Sequence, residues 1–472
     1  MLFKNNFSPL ILPLIILYAF AVRIINIDYN SPFLDEAIYV VFGKKILEGQ
    51  FREVADSISW VGGLPFFYPL LSAIFYQIGG ILGSRIFNVF LGTAAVFLIY
   101  KFTNQLHLLK EEAPNRITSF IAATFAATTA IPIALSRLAI YDMLSFTIFL
   151  MAIVIFQKAL QEGNRFRYLS SAIALFFAFL AKYIVAIFFP FLLALPIYLN
   201  LKREERAATI TILKYFWLPL IFLSMFYLII NFSSLVDFTL GQTLKEMASF
   251  SAILENFWKY LWISYLFSLG GVIVLWQKKK GALTILLAVA SVLPLIAHLV
   301  AREGLSVAQH SFLSLIFILP LVGIFFSTII QKNPKAGILL AGAAIAFNLF
   351  YSASKVRELE SFWPNTDKAV WALKAEVTPN DKILAEAGDV VTLAFYNKIK
   401  SDQIMGPFVF SFKDKEGLPA YLAAIDDEYF NFVELDGTSF SLDSILAIEK
   451  ALSEKYFLFF DDGEVRIWQL KR

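Results

Sequence analysis

The sequence predicts a mainly α-helical, polytopic membrane protein. A transmembrane bundle of about eleven spans over residues 1–351 precedes a small extracytoplasmic α/β domain over 352–472. Three observations carry this expectation. The 472 residues are 58% apolar and only 16% charged, with 50 Phe, whereas a soluble domain is about half apolar and about a quarter charged. The excess apolar surface needs lipid to face. Apolar runs of roughly 20 residues, the length that crosses a bilayer, recur as far as Tyr351 and then stop. Finally, Lys and Arg gather in alternate loops, as cytoplasmic loops require.

The elements follow in chain order. Residues 8–27 form the first apolar run, and Ala19-Phe20-Ala21 inside it resembles a cleavage site. The run continues past that point with no polar cleavage region, so it reads as an uncleaved anchor. Further spans are expected at 81–100, 117–135, 139–157, 168–181, 183–199, 213–231, 258–276, 282–300, 308–329 and 336–351. Only Ala181-Lys182 divides 168–181 from 183–199. Residues 64–79 are apolar but short and Pro-bearing, which suggests an interfacial helix. With Lys4 inside, the basic loops 101–116, 158–167, 202–214, 278–280 and 332–335 all fall on the cytoplasmic side. The segment 28–80, the turns near Arg137, Lys182 and Arg302, and the loop 232–257 fall outside, and localisation to the plasma membrane follows. Beyond Tyr351, helices are expected at 365–376 (capped by Asn365 or Thr366), 390–396, 418–425 and 442–454. Strands are expected at 382–386, 429–434, 456–460 and 465–469, an alternation typical of a small α/β domain.

Composition also excludes function classes. The absence of Cys removes thiolate metal sites and cysteine nucleophiles. Three His leave little room for a histidine metal cage, and a net charge of +3 does not indicate nucleic acid. No Walker motif is present to drive an ATP-dependent pump. Asp381–Asp389 holds Gly388 but no phosphate-binding glycine pattern, so the C-terminal domain receives no activity and reads as readily as a stabilising cap.

Ionisable groups at the mouths of membrane spans are costly and are functional candidates by default. On the outer side these are Asp35, Glu36, Arg137, Asp142, Lys182, Arg302 and His310. Asp35 suits a general base toward a hydroxyl; the competing reading makes it the cap of a helix over 36–49, with Glu36 in its first turn. Arg137 and Asp142 flank one outer turn, and spacing alone favours a local ion pair. Lys182 interrupts a long apolar stretch, and snorkelling is the commoner fate of such a lysine. His310 reads equally as an interfacial residue. Together the groups suit transfer from a donor whose leaving group is a phosphate: cations hold the departing charge, a carboxylate activates the acceptor, and aromatic-rich spans receive a lipid tail.

Ser31-Pro32-Phe33-Leu34-Asp35-Glu36-Ala37-Ile38-Tyr39 resembles the first-loop Asp-Glu motif of GT-C membrane glycosyltransferases, in the branch holding protein O-mannosyltransferases and lipid A aminoarabinose transferases. Ser136–Asp142 with Met143-Leu144 resembles that branch's Arg-Leu-x-x-x-Asp-Met segment, and Leu180-Ala181-Lys182 its Leu-x-Lys turn. Leu64-Pro65-Phe66-Phe67-Tyr68-Pro69-Leu70 resembles its Pro-Pro-Leu-Tyr segment. The likeness spans residues 8–200 in order, and 300–330 more loosely. It implies a GT-C-like fold, a polyprenyl-phosphate-linked sugar donor and a glycan, lipid or protein acceptor. It also implies inverting hexosyl or pentosyl transfer on the outer face. Asp35 would be the catalytic base, supported by Glu36, which is also the candidate ligand for a divalent metal that only some relatives use. Tyr39, Arg137, Asp142, Lys182, Arg302 and His310 would bind substrate. The sequence departs from the pattern at Ile38, where an Arg often stands, at Gly63-Leu64, where some relatives place a Lys, and at Gln309-His310, where Arg-Tyr is common. A transporter or lipid flippase is the alternative from another class, disfavoured by the outer-loop position of the charges and the lack of an internal repeat. A noncatalytic membrane subunit is the third reading.

Overall fold

The computed structural model describes residues 9–192, 206–243, 247–407 and 410–471. Among the described residues, seven helices are long and apolar enough to cross a membrane, or eight if the bent pair Glu112–Thr128 and Ala130–Ser136 is one span. At the remaining three expected positions stand the helices Ile11–Ile24 and Arg165–Ala181 and the helical stretch Tyr183–Leu192, each shorter than that within the described residues. The distal part of the expected span 183–199, part of the loop 202–214, and Lys4 lie outside the described residues.

Local sequence explains the breaks. Thr129 is extended (φ −80°, ψ 138°), and Pro132, which has no N–H to donate, fits the first turn of the next helix. The two helices therefore bend by 58°. The expected interfacial helix at 64–79 begins at Tyr68 and joins the following span as one run, Tyr68–Gln105, broken at Gly79 and Gly80. Gly80 has φ 63°, which a Cβ would disfavour. The expected loop 232–257 is largely helical instead, as Phe232–Thr243 and a helix starting at Phe250. Phe232, Leu235, Val236 and Leu240 recur at helical spacing, a period consistent with this helix.

The described residues group into two compact units. The first draws on Met1–Ile27, Gln50–Tyr68 and Arg85–Arg357, the second on Asp28–Gly49, Pro69–Ser84 and Glu358–Arg472. In the first unit, the interior is knit by interhelical hydrogen bonds as well as packing. Ser327 Oγ donates to Pro114 O at 2.9 Å and Asn348 Nδ2 to Thr128 Oγ1 at 2.9 Å. Such bonds are favoured where no water competes.

The second unit contains a five-stranded sheet of order β2-β1-β5-β7-β6, built from β1 (Ile383–Ala385), β2 (Ile404–Met405), β5 (Phe432–Leu435), β6 (Tyr456–Asp461) and β7 (Arg466–Leu470). β1 runs parallel to β2 and β5, and β7 antiparallel to β5 and β6. A hairpin of β3 (Ser411–Phe412) and β4 (Lys415–Glu416) stands apart. The sheet is buried on both faces: Ile383, Ala385 and Phe432 pack with Leu373 and Val391 on one side, and Leu384, Val433 and Leu435 with Tyr421 and Ile448 on the other. Helices thus cover both faces, so every residue of β1 and β5 is buried, including Glu434 within β5. The glutamate ending β1, Glu386, is buried and accepts the N–H groups of Asp436 and Gly437 (both 2.7 Å), Ser439 (3.0 Å) and Phe440 (2.6 Å). The end of the sheet is thereby filled by the chain's own carboxylate.

Candidate active site

In the second unit, Asp35, Glu36 and Tyr39 lie on the helix Leu34–Leu47. This helix starts two residues earlier than the sequence reading placed it. Its N-cap is Phe33, and the cap bond is made by Glu36, whose Oε2 accepts the Phe33 N–H at 2.8 Å. The capping role proposed for Asp35 therefore belongs to Glu36, because residue N3 can reach back to the cap N–H whereas residue N2 is one position short. Glu36 and Tyr39 are buried; Asp35 is half-buried in the first turn.

The other candidates lie in the first unit. Asp142 opens the helix Asp142–Glu162, and Lys182 ends the helix Arg165–Ala181. The two form a buried ion pair, Lys182 Nζ to Asp142 Oδ1, with side chains 5% and 2% exposed. The ammonium also sits 4.9 Å from the centre of the Tyr141 ring. Lys182 thus does not snorkel. Burial in helix-lined protein leaves it no route to headgroups, and a carboxylate 40 residues away neutralises it. Asp142 correspondingly reaches beyond the local turn it shares with Arg137. Arg137 donates through Nη2 to Val22 O at 2.7 Å, fixing the turn to the end of the first apolar helix.

A glycine turn holds the Lys182 backbone. Leu64 N–H donates to Leu180 O at 2.6 Å and Tyr183 N–H to Gly62 O at 2.8 Å. A Cβ at Gly63 would lie 2.4 Å from Ala181 O, so this approach admits only glycine. The departure noted at Gly63 is thereby explained: it is the price of docking 62–64 against the lysine. Beside the turn, Phe179, Leu180 and Tyr227 are buried against Leu64, Phe176, Tyr183, Phe189 and Leu235, an apolar and aromatic wall.

Arg302 has φ 54°, with Nε donating to Ala248 O at 3.2 Å and the guanidinium 4.2 Å from the Phe250 ring centre. His310 belongs to a chain of polar groups. Its Nδ1 lies 2.9 Å from His298 Nε2, while His298 Nδ1 lies 2.9 Å from both Glu303 O and Glu303 Oε2. Glu303 also accepts from Ser306 Oγ (2.7 Å), Ser306 N (3.0 Å) and Leu305 N (2.7 Å). Burial would raise its pKa, but the bonds from His298 and Ser306 overcome that and lower it to about 2. The bland reading of His310 as a lone interfacial residue is replaced by that of the end of a Glu–His–His chain.

Sequence reasoning missed three of these partners, Glu303, His298 and Arg23. Arg23 is fully buried in the first apolar helix, bonded to Ala19 O (3.0 Å), Ser136 Oγ (3.2 Å), Ala126 O (3.3 Å) and Ala127 O (3.4 Å). Its signal was available, since an arginine within a span requires partners. Among the described residues, no group of three or more His, Asp or Glu side chains forms a metal-ligand set. At Glu36, the candidate metal ligand, Oε2 accepts the Phe33 N–H.

No protein-family profile matches the sequence, and no curated protein matches it. The fold, however, is similar to that of solved membrane glycosyltransferases. Oligosaccharyltransferase from Archaeoglobus fulgidus in complex with Zn and sulfate superposes with TM-score 0.60 at 13% identity, covering 98% of this chain and 73% of that one. The archaeal oligosaccharyltransferase AglB from Archaeoglobus fulgidus, in complex with an inhibitory peptide and a dolichol-phosphate, gives TM-score 0.63 at 13% identity over 100% and 75%. ArnT from Cupriavidus metallidurans bound to undecaprenyl phosphate gives TM-score 0.61 at 10% identity over 97% of both chains, so the likeness of fold extends over nearly the whole chain.

Proposed function

We propose that this protein transfers a sugar from a polyprenyl-phosphate donor to an acceptor hydroxyl or similar group on the outer face of the membrane, with inversion. The observation that carries the reading is the end-to-end fold match to ArnT bound to undecaprenyl phosphate, in a chain that keeps the ordered Asp-Glu, Arg-Leu-x-x-x-Asp and Leu-x-Lys segments. AglB, bound to a dolichol-phosphate and a peptide, supports the same class of donor on the same fold.

In this reading Asp35 takes the acceptor proton as the acceptor oxygen attacks the anomeric carbon. The sugar–phosphate C–O bond breaks on the opposite face, and its electron pair leaves on the phosphate oxygen. Phosphate is a good leaving anion, so the demand is for positive charge rather than for an acid. We assign that role to Lys182 and Arg137, with Arg302 or His310 as a substitute contact. Asp142 neutralises Lys182 at rest and keeps its ammonium desolvated in place, and the wall of Phe179, Tyr183 and Tyr227 receives the first isoprene units. No step is routed through a metal. The acceptor is a glycan, lipid or protein, and the sugar a hexose or pentose.

The test is purified protein incubated with a panel of polyprenyl-phosphate sugars and membrane extract, read by mass spectrometry. One donor is expected to be consumed with release of polyprenyl phosphate. Asp35→Asn should lower turnover by about 100- to 10,000-fold, the usual share of a general base, with folding intact. Full activity in Asp35→Asn removes Asp35 as the base. Solute uptake by reconstituted protein without any product would instead favour a transporter.

A further inference from the structure

The segment ahead of Asp35 is held by the C-terminal part of its own unit, and the hold is concentrated on one turn. Trp363, in the irregular stretch after the helix Pro334–Glu360, donates from Nε1 to Ser31 O at 3.1 Å. Its ring lies 5.0 Å from that of Phe33 and 5.9 Å from that of Tyr29. Asn30 Nδ2 donates back to Trp363 O at 2.9 Å. Ser31 is fully buried; its hydroxyl accepts from Thr366 N at 3.0 Å and lies 3.4 Å from Pro364 O. Backbone, hydroxyl and ring on both sides of the turn are thus engaged by residues 360–366. The far end of the same helix is gripped too: Lys44 Nζ stands 4.0 Å from the Tyr396 ring centre, and Tyr396 Oη donates to Glu48 Oε2 at 2.9 Å.

We propose that Trp363 is a positioning residue for Asp35, acting through Phe33 and Ser31 to fix the first turn of the helix Leu34–Leu47. The proposal rests on the reading of Asp35 as the base. Helix ends fray when nothing holds them, and Asp35 is only the second residue of its helix. A carboxylate that must meet an acceptor proton at hydrogen-bond distance tolerates little drift, since a displacement of about 1 Å can cost about 100-fold in rate. Phe33 is the N-cap, so the ring contact with Trp363 sets where the helix begins. The Ser31 contacts set the direction from which the chain enters it. The C-terminal α/β part then has a role in turnover without contributing a group to the chemistry.

The chain contains no Cys, so a nitroxide placed by Asp35→Cys reports this one turn. Trp363→Ala should release the label, narrowing its spectrum. In the unlabelled protein the same change should lower kcat by about 10- to 100-fold with donor KM within about threefold. Trp363→Phe, which keeps the ring and loses the N–H, should recover most of both effects. Ser31→Ala should act in the same direction, and the Ser31→Ala/Trp363→Ala pair should be less than additive. Unchanged label mobility, or kcat within about twofold of the parent in Trp363→Ala, overturns the proposal. If Trp363→Ala does not fold, Trp363→Phe and Ser31→Ala carry the same comparison. Full activity in Asp35→Asn overturns the base reading and with it the catalytic part of this one, and the label spectra then decide the clamp alone.

Discussion

Replacing Lys182 by Met isolates what the buried pair contributes. Both side chains are almost fully enclosed, 5% and 2% exposed, so removing the ammonium strands the Asp142 carboxylate in a medium that cannot solvate it. Breaking one partner of a buried pair costs about 3–5 kcal/mol, and losing the contact with the Tyr141 ring adds about 1 kcal/mol. For a chain of this length 1 kcal/mol corresponds to about 1–2 °C, extending the size scaling of unfolding. Lys182→Met should therefore melt about 5–10 °C below the parent in detergent, and inactivate faster at fixed temperature, the more secure readout if unfolding is irreversible. Asp142→Asn/Lys182→Met leaves no charge unpaired and should regain most of that stability. If Lys182 serves the leaving phosphate as proposed, activity should stay lost in both. A single variant melting within about 1 °C of the parent refutes the electrostatic argument. A double variant that regains turnover along with stability confines Lys182 to a structural role.

Four further outcomes follow from the same geometry. Glu36→Ala should cost about 1 kcal/mol of stability through loss of the cap, and Glu36→Gln, which keeps an acceptor oxygen, should recover it in thermal melts. Gly63→Ala should cost about 1–3 kcal/mol and lower turnover, because its Cβ meets Ala181 O at 2.4 Å and pushes on the Lys182 turn; parent-like melting and kinetics would sink that. Glu303 is held at about 2 against an ordinary 4.5, so its stabilisation is present above pH 4.5 and fades as pH falls toward 2. Glu303→Gln should accordingly cost up to about 3 kcal/mol at pH 7 and progressively less in acid. Asp389 is displaced the other way: burial raises it from 3.8 to about 6, more than Lys45 lowers it. Its ionisation opposes folding as pH rises from about 4 to 6, so Asp389→Asn should stabilise by about 1–3 kcal/mol at pH 7.5 and change nothing near pH 4.

What the sequence disclosed is what periodicity and composition encode. The spans at 81–100 and 308–329 fall inside the helices Tyr68–Gln105 and Val307–Lys332, and that at 139–157 overlaps Asp142–Glu162, because a helix that crosses a bilayer carries a long apolar run whether it faces lipid or its neighbours. The strands and helices after Glu360 were recovered within a few residues, since alternation of helical and extended apolar patterns survives in an aqueous domain. Short strands were not: β2, β3 and β4 have two residues each, too few to show a period. The helix Phe232–Thr243 was hidden by its position between two spans, where polarity suggested a loop.

The site was legible as a roster of residues and illegible as a set of pairings, and the difference is physical. A charge in an apolar stretch announces a cost, so Lys182 could be singled out; which acid meets that cost depends on how two helices pack, and Asp142 is forty residues away. The same holds for the Asp-Glu motif. Adjacent carboxylates look alike in sequence, yet a one-residue offset on a helix gives Glu36 the cap and leaves Asp35 at the mouth of the turn. The motif is thereby divided between a buried glutamate that builds the turn and a half-buried aspartate beside it. That division explains why the two cannot be exchanged. An Asp at 36 falls one methylene short of the Phe33 N–H, and a Glu at 35 carries its carboxylate one methylene beyond the place of the proposed base. Asp35→Glu should therefore fold like the parent and turn over slowly, whereas Glu36→Asp should lose stability first.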